Sequence, residues 1–284
     1  MSKIDHIMVI SHTHWDPEWY STFEEYRMRL VELMDKLLDI LENIPEYHSF
    51  MFDGQMSPLE SYLELFPENR ERIKKLVKSG KLLVGPWFVL PDEYMIGPEA
   101  HIRNLLLGTR IAEAYGEVMR VGYLPDMAGH ISQMPQILKG FDIESFVGWR
   151  GIAGYPDTAK TEFIWKGPDG TEILAIHLPW GYCNGAFLFD ETEFTFKKIQ
   201  ELKKRQKDRN ATCFMLLMNG CDHEEPHSLL PRIMKEIKDK NPDFNIEHTN
   251  ILEYITEITK KLHFLQNLDN SIILQYSTYR NYTS

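Results

Sequence analysis

The sequence predicts an α/β fold, namely a (β/α)7-type barrel of parallel strands that forms a single domain. Short runs rich in β-branched and aromatic residues alternate with stretches in which apolar residues recur at helical spacing. The chain has 284 residues, of which 43% are apolar, and a closed βα barrel usually takes about 250 residues. Because periodicity cannot show whether a sheet closes, a doubly wound open sheet stays the alternative.

Each predicted strand is a short apolar run. We interpret these runs as buried parallel strands, because turn residues and then a helical pattern follow each one. They lie at 6–13, 48–52, 81–88, 120–124, 145–149, 172–178 and 212–218, with a less certain eighth at 244–248.

Helices are predicted between the strands by apolar stripes that face the core. After Lys261 the alternation of strands and helices is lost. We therefore expect the barrel to span residues 1–261 and an irregular or truncated tail to span residues 262–284. The clearest stripes are Leu30, Leu33, Met34, Leu37 and Leu41, then Leu59, Tyr62, Leu63, Ile73, Leu76 and Val77, then Ile102, Leu105, Leu106 and Ala112.

The charge balance and the cysteine count restrict the partners and the compartment. Lys and Arg total 31 against 42 Asp and Glu, a net charge of −11, which is the wrong sign for a protein that neutralises nucleic-acid phosphates. The apolar run at 7–10 is too short for a membrane span or a signal segment, so no membrane partner is expected. Three cysteines without framework spacing point to a reducing compartment, and we expect the cytoplasm.

The side chains that carry chemistry follow the predicted strands. In parallel βα folds the loops at the carboxyl ends of the strands converge, so residues in these loops meet. His14 and Asp16 follow the first strand, and Asp126 follows the fourth. The other candidates are Asp92 after the third strand, Arg150 after the fifth, and Asp222, His223 and Glu224 after the seventh.

A divalent metal is the simplest reason for so many carboxylates at one rim, because they would otherwise repel one another. Residues two apart in an extended segment point the same way, so His14 and Asp16 can offer a nitrogen and an oxygen to one ion. Mixed ligation of this kind suits zinc, with other divalent ions possible. The alternative is a capping Asp beside a buried, hydrogen-bonded His. Trp15 and Trp19 flank the pair, and an indole face beside carboxylates suits a sugar ring.

Five ordered motifs resemble a known family. HTHWDPEWY, GPWFVLPDE, GYLPDMAGHISQMPQIL, VGWRG and NGCDH are similar to the N-terminal catalytic domain of glycoside hydrolase family 38, the α-mannosidases, and most similar to its bacterial members. The resemblance covers roughly residues 6 to 260. It implies a seven-stranded α/β barrel and a zinc-dependent hydrolysis of α-mannosides, with retention, through a covalent mannosyl-enzyme.

The resemblance also implies roles by motif position. His14 and Asp16 would be metal ligands, and Asp126 would be both a metal ligand and the nucleophile. Asp222 would be the general acid, for which Glu224 is the alternative. A retaining mechanism needs an ionised nucleophile and an acid that still holds its proton near pH 7.

The substrate expected from the resemblance is an α-mannoside oligosaccharide. Arg150 is expected to support the Asp126 carboxylate, Asp92 to bond sugar hydroxyls, and Trp19 to form the platform for the ring. Members of the family run to several hundred residues, so we expect uncovered apolar surface on this chain and a possible homo-oligomer.

One departure from the family concerns the fourth zinc ligand, a His in a later HD motif that this sequence does not reach. We expect three ligands and a looser site, with His223 as the local substitute. Two rival functions remain. One is another metal-dependent barrel hydrolase, of the deacetylase or amidohydrolase type, and the other is a noncatalytic remnant that at most binds sugar or metal.

Overall fold

Alternating strands and helices build the molecule, as the computed structural model shows for residues 4–152, 160–188 and 190–268. The strands are β1 (His6–Thr13), β2 (Phe50–Phe52), β3 (Leu82–Leu83), β4 (Gly122–Leu124), β5 (Ser145–Gly148), β6 (Glu162–Lys166), β7 (Glu172–His177), β8 (Phe214–Asn219) and β9 (Asn245–Thr249). The helices are α1 (Phe23–Asn43), α2 (Ser57–Leu65), α3 (Arg70–Lys78), α4 (Pro98–Glu113), α5 (Met134–Lys139), α6 (Thr192–Gln206), α7 (Leu230–Lys240) and α8 (Ile251–Leu268).

The strands form two sheets. The first has the order β3-β2-β1-β8, with β9 also paired to β1, and all of its pairings are parallel. The second has the order β4-β5-β7-β6, in which β6 is antiparallel to β7. Within the described ranges no strand pairing joins the two sheets, so the α/β class and the parallel pairing are confirmed but the closed seven-stranded barrel is not.

The predicted third strand shows why the sheet does not continue. The sequence predicts a strand over 81–88, but β3 contains only Leu82 and Leu83. Pro86 has no N–H to donate to a ladder, and Gly85 adopts a φ of 71°. One backbone hydrogen bond, from Met119 N to Val84 O at 3.0 Å, connects this edge to the chain entering β4.

Strand β6 is the element that the sequence analysis missed. It forms a hairpin with β7, and its turn is closed by a hydrogen bond from Gly167 N to Thr171 O at 2.8 Å. The turn needs Gly170, which has a φ of 89°. The run FIW followed by GPDGT was the available signal, because aromatic and β-branched residues before such a turn are typical of a hairpin.

Apolar side chains from the inner faces of both sheets pack together. Met8 and Ile10 of β1 join Val147 of β5 and Ile176 of β7 in one buried cluster. Their neighbours Ile7 and Val9 point the other way, into the cluster under α1 and α2, as the period of two along a strand requires. The shared core therefore holds the carboxyl ends of the two sheets side by side without a ladder between them.

The last described helix runs further than expected. Helix α8 continues to Leu268, past the predicted start of an irregular tail at residue 262, and residues 269–284 lie outside the described residues. The boundary between domain and tail stays a prediction. Among the residues described, no helix combines the length and the apolar character needed to cross a bilayer.

Candidate active site

The site begins where β1 and β8 continue to pair beyond their ends. His14 N donates to Cys221 O at 3.0 Å and His223 N donates to His14 O at 2.8 Å, so that His14 lies opposite Asp222. This approach requires Gly220, because a Cβ there would lie 1.8 Å from the His12 carbonyl oxygen. Strand pairing thus places a candidate metal ligand directly beside the candidate acid.

His14 is oriented by Asp53, a residue for which the sequence analysis proposed no role. The carboxylate of Asp53 accepts from His14 Nδ1 at 3.1 Å and from Trp15 N at 2.7 Å, and Gln55 Nε2 donates to it at 2.7 Å. Asp53 is fully buried at a φ of 51°, a conformation that Asp tolerates better than most residues. A carboxylate on Nδ1 holds a proton there and orients the ring, so that Nε2 is the nitrogen that could bind a metal.

Asp16 faces the Nε2 atom of His14. His14 Nε2 lies 3.5 Å from Asp16 Oδ1, and both side chains leave the extended segment on one side. Burial would raise the pKa of Asp16, but the hydrogen bond and charge of His14 outweigh it and lower that pKa. Burial would lower the pKa of His14, yet the charge of Asp53 and the bond to Asp16 raise it well above its ordinary value. These two donors fit a divalent cation, since an imidazole nitrogen and a carboxylate oxygen converge with a buried carboxylate behind them.

Asp126 comes from the second sheet, in the loop after β4. The Arg150 guanidinium lies 2.5 Å from Asp126 Oδ1 and forms an ion pair with it, while the role expected for Arg150 stays a prediction. The two loops meet at Gly129 and Gly151, where a Cβ on Gly151 would lie 2.5 Å from the Cα of Gly129. Gly151 also has a φ of 72°, so this position needs glycine on two counts.

Electrostatic interactions connect Asp126 to the first sheet. Burial raises the pKa of Asp126, the positive charges of Arg150 and His14 lower it, and the negative charges of Asp222 and Asp16 raise it again. The other three candidate metal and catalytic residues, His14, Asp16 and Asp222, therefore all interact electrostatically with Asp126. The predicted ligands His14, Asp16 and Asp126 nevertheless do not all bring their donor atoms within 4.8 Å of one another, and the Asp126 carboxylate pairs with Arg150.

Asp222 is held by a tyrosine that the sequence analysis did not identify. Tyr182 OH donates to Asp222 Oδ1 at 2.7 Å, while the carbonyl of Tyr182 accepts from His12 Nε2 at 2.8 Å. Tyr182 follows β7 on the chain and is buried. The signal for it was weak, because only its position after a predicted strand separates it from the other tyrosines.

A disulfide joins Cys183 to Cys221, next to that pair. This pairing was not expected from the sequence, because 38 residues separate the two cysteines and their approach depends on the loop after β7 packing along β8. With two of the three cysteines paired, the cysteine count no longer points to a reducing compartment, and the cytoplasmic location stays a prediction. Among the described residues, the group whose potential ligand atoms all lie within 4.8 Å is Cys183, Cys221 and Asp222, and in this state the two sulfur atoms bond each other.

Comparison with known proteins identifies the family. The model of the glycosyl hydrolases family 38 N-terminal domain matches residues 5–279. The chain belongs to glycosyl hydrolase family 38. It is 36% identical over 277 residues to a putative mannosylglycerate hydrolase of Halalkalibacterium halodurans, and it resembles the crystal structure of an α-mannosidase from Enterococcus faecalis V583 with a TM-score of 0.85 and 33% identity.

The matches cover most of this chain and a minority of the relatives. The alignments take in 92% of this chain and 30% of the Halalkalibacterium protein, and 90% of this chain and 29% of the Enterococcus chain. Alpha-mannosidase G of Dictyostelium discoideum is 27% identical over 179 residues, which are 61% of this chain and 16% of that protein. The chain thus spans about 30% of the first relative's length.

Glu224, the alternative acid of this family 38 chain, lies in a separate pocket. This pocket, of about 350 Å³, is also lined by Lys36, Asp190 and His227. Burial, with the charges of Asp222 and Asp190, raises the pKa of Glu224 to about 7. A raised pKa suits a group that donates a proton, whereas the strand pairing and the Tyr182 bond place Asp222 beside the candidate metal ligands.

The residues predicted to contact sugar lie at the surface around the site. Trp19 is 66% exposed and packs edge to face on Tyr20, while Asp92 is exposed. No described contact joins Trp19 or the Asp92 side chain to His14, so their roles stay predictions. Trp15, the other tryptophan of the first motif, is buried against Tyr26 and is a core residue.

The structure disfavours His223 as a substitute metal ligand. Its Nε2 lies 3.1 Å from Asp16 O and 3.2 Å from Asp16 N, and its ring stacks on Tyr26 and packs against the edge of Trp15. The ring therefore supports the segment that carries Asp16.

The loop that carries Asp126 is supported by a buried pair of side chains. His130 Nδ1 and Glu93 Oε1 lie 2.5 Å apart and connect this loop to the chain beside Asp92.

Proposed function

We propose that this chain is the catalytic part of a zinc-dependent retaining α-mannosidase that hydrolyses terminal α-mannosides through a covalent mannosyl-enzyme. The observation that carries the proposal is the His14–Asp16 pair at the end of β1, oriented by Asp53 and placed beside Asp222 by strand pairing. Asp126 supplies the second carboxylate from the neighbouring sheet. Two carboxylates beside a cation-binding pair are the groups that a retaining glycosidase of this family needs.

Asp126 acts as the nucleophile in this mechanism. Its carboxylate oxygen forms a bond to the anomeric carbon of mannose while the bond from that carbon to the leaving oxygen breaks. The nucleophile must be ionised, and Arg150 favours the charged form against the burial that raises its pKa. Water then attacks the same carbon from the opposite side of the adduct, which restores Asp126 and releases mannose with its original configuration.

Asp222 donates a proton to the leaving oxygen in the first step and removes one from water in the second. Tyr182 holds this carboxyl in place through its hydroxyl. Glu224 is the alternative acid, since its pKa is raised to about 7. Retention requires the nucleophile and the acid to stand about 5–5.5 Å apart across the bond that is cut.

His14 and Asp16 would hold the cation, with Asp126 as a third ligand if its carboxylate turns from Arg150. Zinc bound there would orient the hydroxyls of the sugar being cleaved. His14 can serve as a ligand only after its Nε2 has lost its proton, and the bond to Asp53 would then keep the remaining proton on Nδ1. Another divalent cation with a preference for nitrogen and oxygen donors would bind the same pair.

The substrate proposed is an α-mannoside oligosaccharide, with Trp19 under a sugar ring and Asp92 bonded to hydroxyls. Mannosylglycerate is a second candidate, because the Halalkalibacterium relative carries that name at 36% identity. Its leaving group is an anion, whereas that of an oligosaccharide is neutral. The pocket beside Glu224 holds Glu225 paired with Lys36 and Asp190 paired with His227, so turnover of the two substrates, compared on the same sample, distinguishes them.

The test is metal content by mass spectrometry together with turnover of p-nitrophenyl α-mannoside on the same sample. We expect about one zinc per chain and release of p-nitrophenol that stops when a chelator removes the metal. Acetate release from an acetylated sugar without mannoside cleavage would replace the proposal with a deacetylase. Bound zinc without any turnover would favour a noncatalytic remnant. The cytoplasmic location and the homo-oligomer stay predictions.

A further inference from the structure

The Cys183–Cys221 disulfide lies against the two residues that hold the proposed acid. Cys183 directly follows Tyr182, and Cys221 directly precedes Asp222, with 4.8 Å between the two cysteine Cα atoms. The hydrogen bond from Tyr182 to Asp222 therefore runs beside a covalent bond that joins the same two chain segments. A link at this position restricts how far the hydroxyl and the carboxylate can move apart.

The same cross-link also reaches the first strand. The carbonyl of Cys221 accepts from His14 N at 3.0 Å, and the carbonyl of Tyr182 accepts from His12 Nε2 at 2.8 Å. Cys221 and Tyr182, the residue before Cys183, are thus both bonded to the end of β1, where the candidate metal ligands begin. Displacement of Cys221 would therefore shift both His14 and Asp222.

Other bonds would keep the loop after β7 in place without the disulfide. The side chain of Asn184 bonds Leu216 O at 3.0 Å and Met218 N at 2.7 Å, and Gly185 N donates to Met218 O at 2.9 Å. Reduction would therefore loosen the register of Tyr182 against Asp222 rather than release the segment. A local change of this kind can be reversed, because the refolding of a domain is not needed.

Cys183 and Cys221 are both half-buried, so neither residue is enclosed in the core. The third cysteine, Cys213, precedes β8, whereas Cys221 follows it. Eight residues of extended chain separate their Cα atoms by about 26 Å, so Cys213 cannot exchange into the pair without a large movement.

We propose that Cys183 and Cys221 are a reversible redox site that controls the positioning of Asp222 as the acid, an inference that rests on the proposed function. In the reducing direction a dithiol attacks the disulfide through a mixed disulfide. The dithiol is oxidised by two electrons, and both protein sulfurs become thiols with its two protons. A low-molecular-weight disulfide reverses the exchange. The oxidised form keeps Tyr182 on Asp222, and the reduced form lets them separate.

Leaving-group dependence tests this proposal. An acid matters most for a poor leaving group, whereas 2,4-dinitrophenolate departs without a proton. We expect reduction by dithiothreitol, and the substitutions C183S and C221S, to lower kcat about fivefold or more on methyl α-mannoside. On 2,4-dinitrophenyl α-mannoside kcat should change less than twofold. Glutathione disulfide should restore the activity of the reduced wild type but not that of the two variants. The control C213S should respond to reduction and reoxidation as the wild type does.

Alkylation followed by mass spectrometry gives a readout that needs no substrate. We expect one reactive thiol, Cys213, in the oxidised chain and three after reduction. Three free thiols after incubation with glutathione disulfide would overturn the inference, as would equal losses on both mannosides or no loss on either. Absence of turnover on every mannoside would overturn the proposed function and the role of Asp222 with it.

Discussion

The two halves of the site are built in different ways. On the first sheet, strand pairing sets His14 opposite Asp222, and the fully buried Asp53 orients the His14 ring. On the second sheet, Asp126 is held by Arg150, whose side chain is 44% exposed. The comparison teaches that the proposed metal-binding half is fixed by buried contacts, while the proposed nucleophile is held by one ion pair beside solvent, where it can change partner during a reaction.

The largest expected effect is loss of the nucleophile. Asp126→Asn removes the attacking oxygen's charge but keeps the size of the side chain. Turnover of 2,4-dinitrophenyl α-mannoside should fall by about 10³-fold or more. Metal content should change less than turnover, since His14 and Asp16 remain. A variant that keeps more than a tenth of the activity would show that Asp126 is not the nucleophile.

The second expected effect distinguishes the two acid candidates. Asp222→Asn should lower kcat/KM on methyl α-mannoside by about 10²–10⁴-fold, and far less on 2,4-dinitrophenyl α-mannoside, which needs no protonation. Glu224→Gln is the matched control and should change both rates by less than about fivefold. The reverse result, with the large selective loss in Glu224→Gln, would move the role of acid to the neighbouring pocket.

The third effect tests the buried support of the metal pair. Asp53→Asn removes the charge that orients His14, and zinc affinity should fall by about 10–100-fold in a metal titration. Glu93→Gln is the matched control, because it changes a buried His–carboxylate pair on the other side of the site. That variant should lose about 1–3 kcal/mol of unfolding free energy with zinc affinity unchanged. Equal zinc affinities in both variants and the wild type would contradict the orienting role of Asp53.

The smallest effect is a pH dependence of stability. The pKa of Glu224 is raised from 4.5 to about 7 by burial and by its acidic neighbours, so the folded state binds its proton more tightly than the unfolded state does. This contribution is present in full below about pH 4.5 and is lost as the pH rises to about 7. Glu224 is half exposed, which limits the effect to about 1 kcal/mol. The melting temperature of Glu224→Gln should therefore be about 2–4 °C above that of the wild type at pH 8. At pH 4.5 the two melting temperatures should be equal.

Much of the site could be predicted from the sequence because position at a strand end is a local signal. The run before His14 is a buried strand, and the expected contact of Arg150 with Asp126 is present. The role of Asp53 could not be predicted, since it depends on a left-handed backbone conformation and on a residue 39 positions away. Sheet closure is likewise a long-range property that periodicity does not carry.

The disulfide is a second feature that the amino-acid composition could not predict. A count of three cysteines predicts no framework, but the pairing of Cys183 with Cys221 follows from the loop after β7 packing along β8. The strand β6 was missed for a different reason. Its run is short, and the expectation of uniform βα units left no place for a hairpin.

Trapping the covalent intermediate tests the central claim most directly. The chain should be incubated with a fluorinated mannoside that carries a good leaving group, digested, and mapped by mass spectrometry. The account predicts one mannosyl adduct, on the peptide that contains Asp126, and none in Asp126→Asn. An adduct on another carboxylate, or steady hydrolysis of mannosides with no adduct at all, would contradict it.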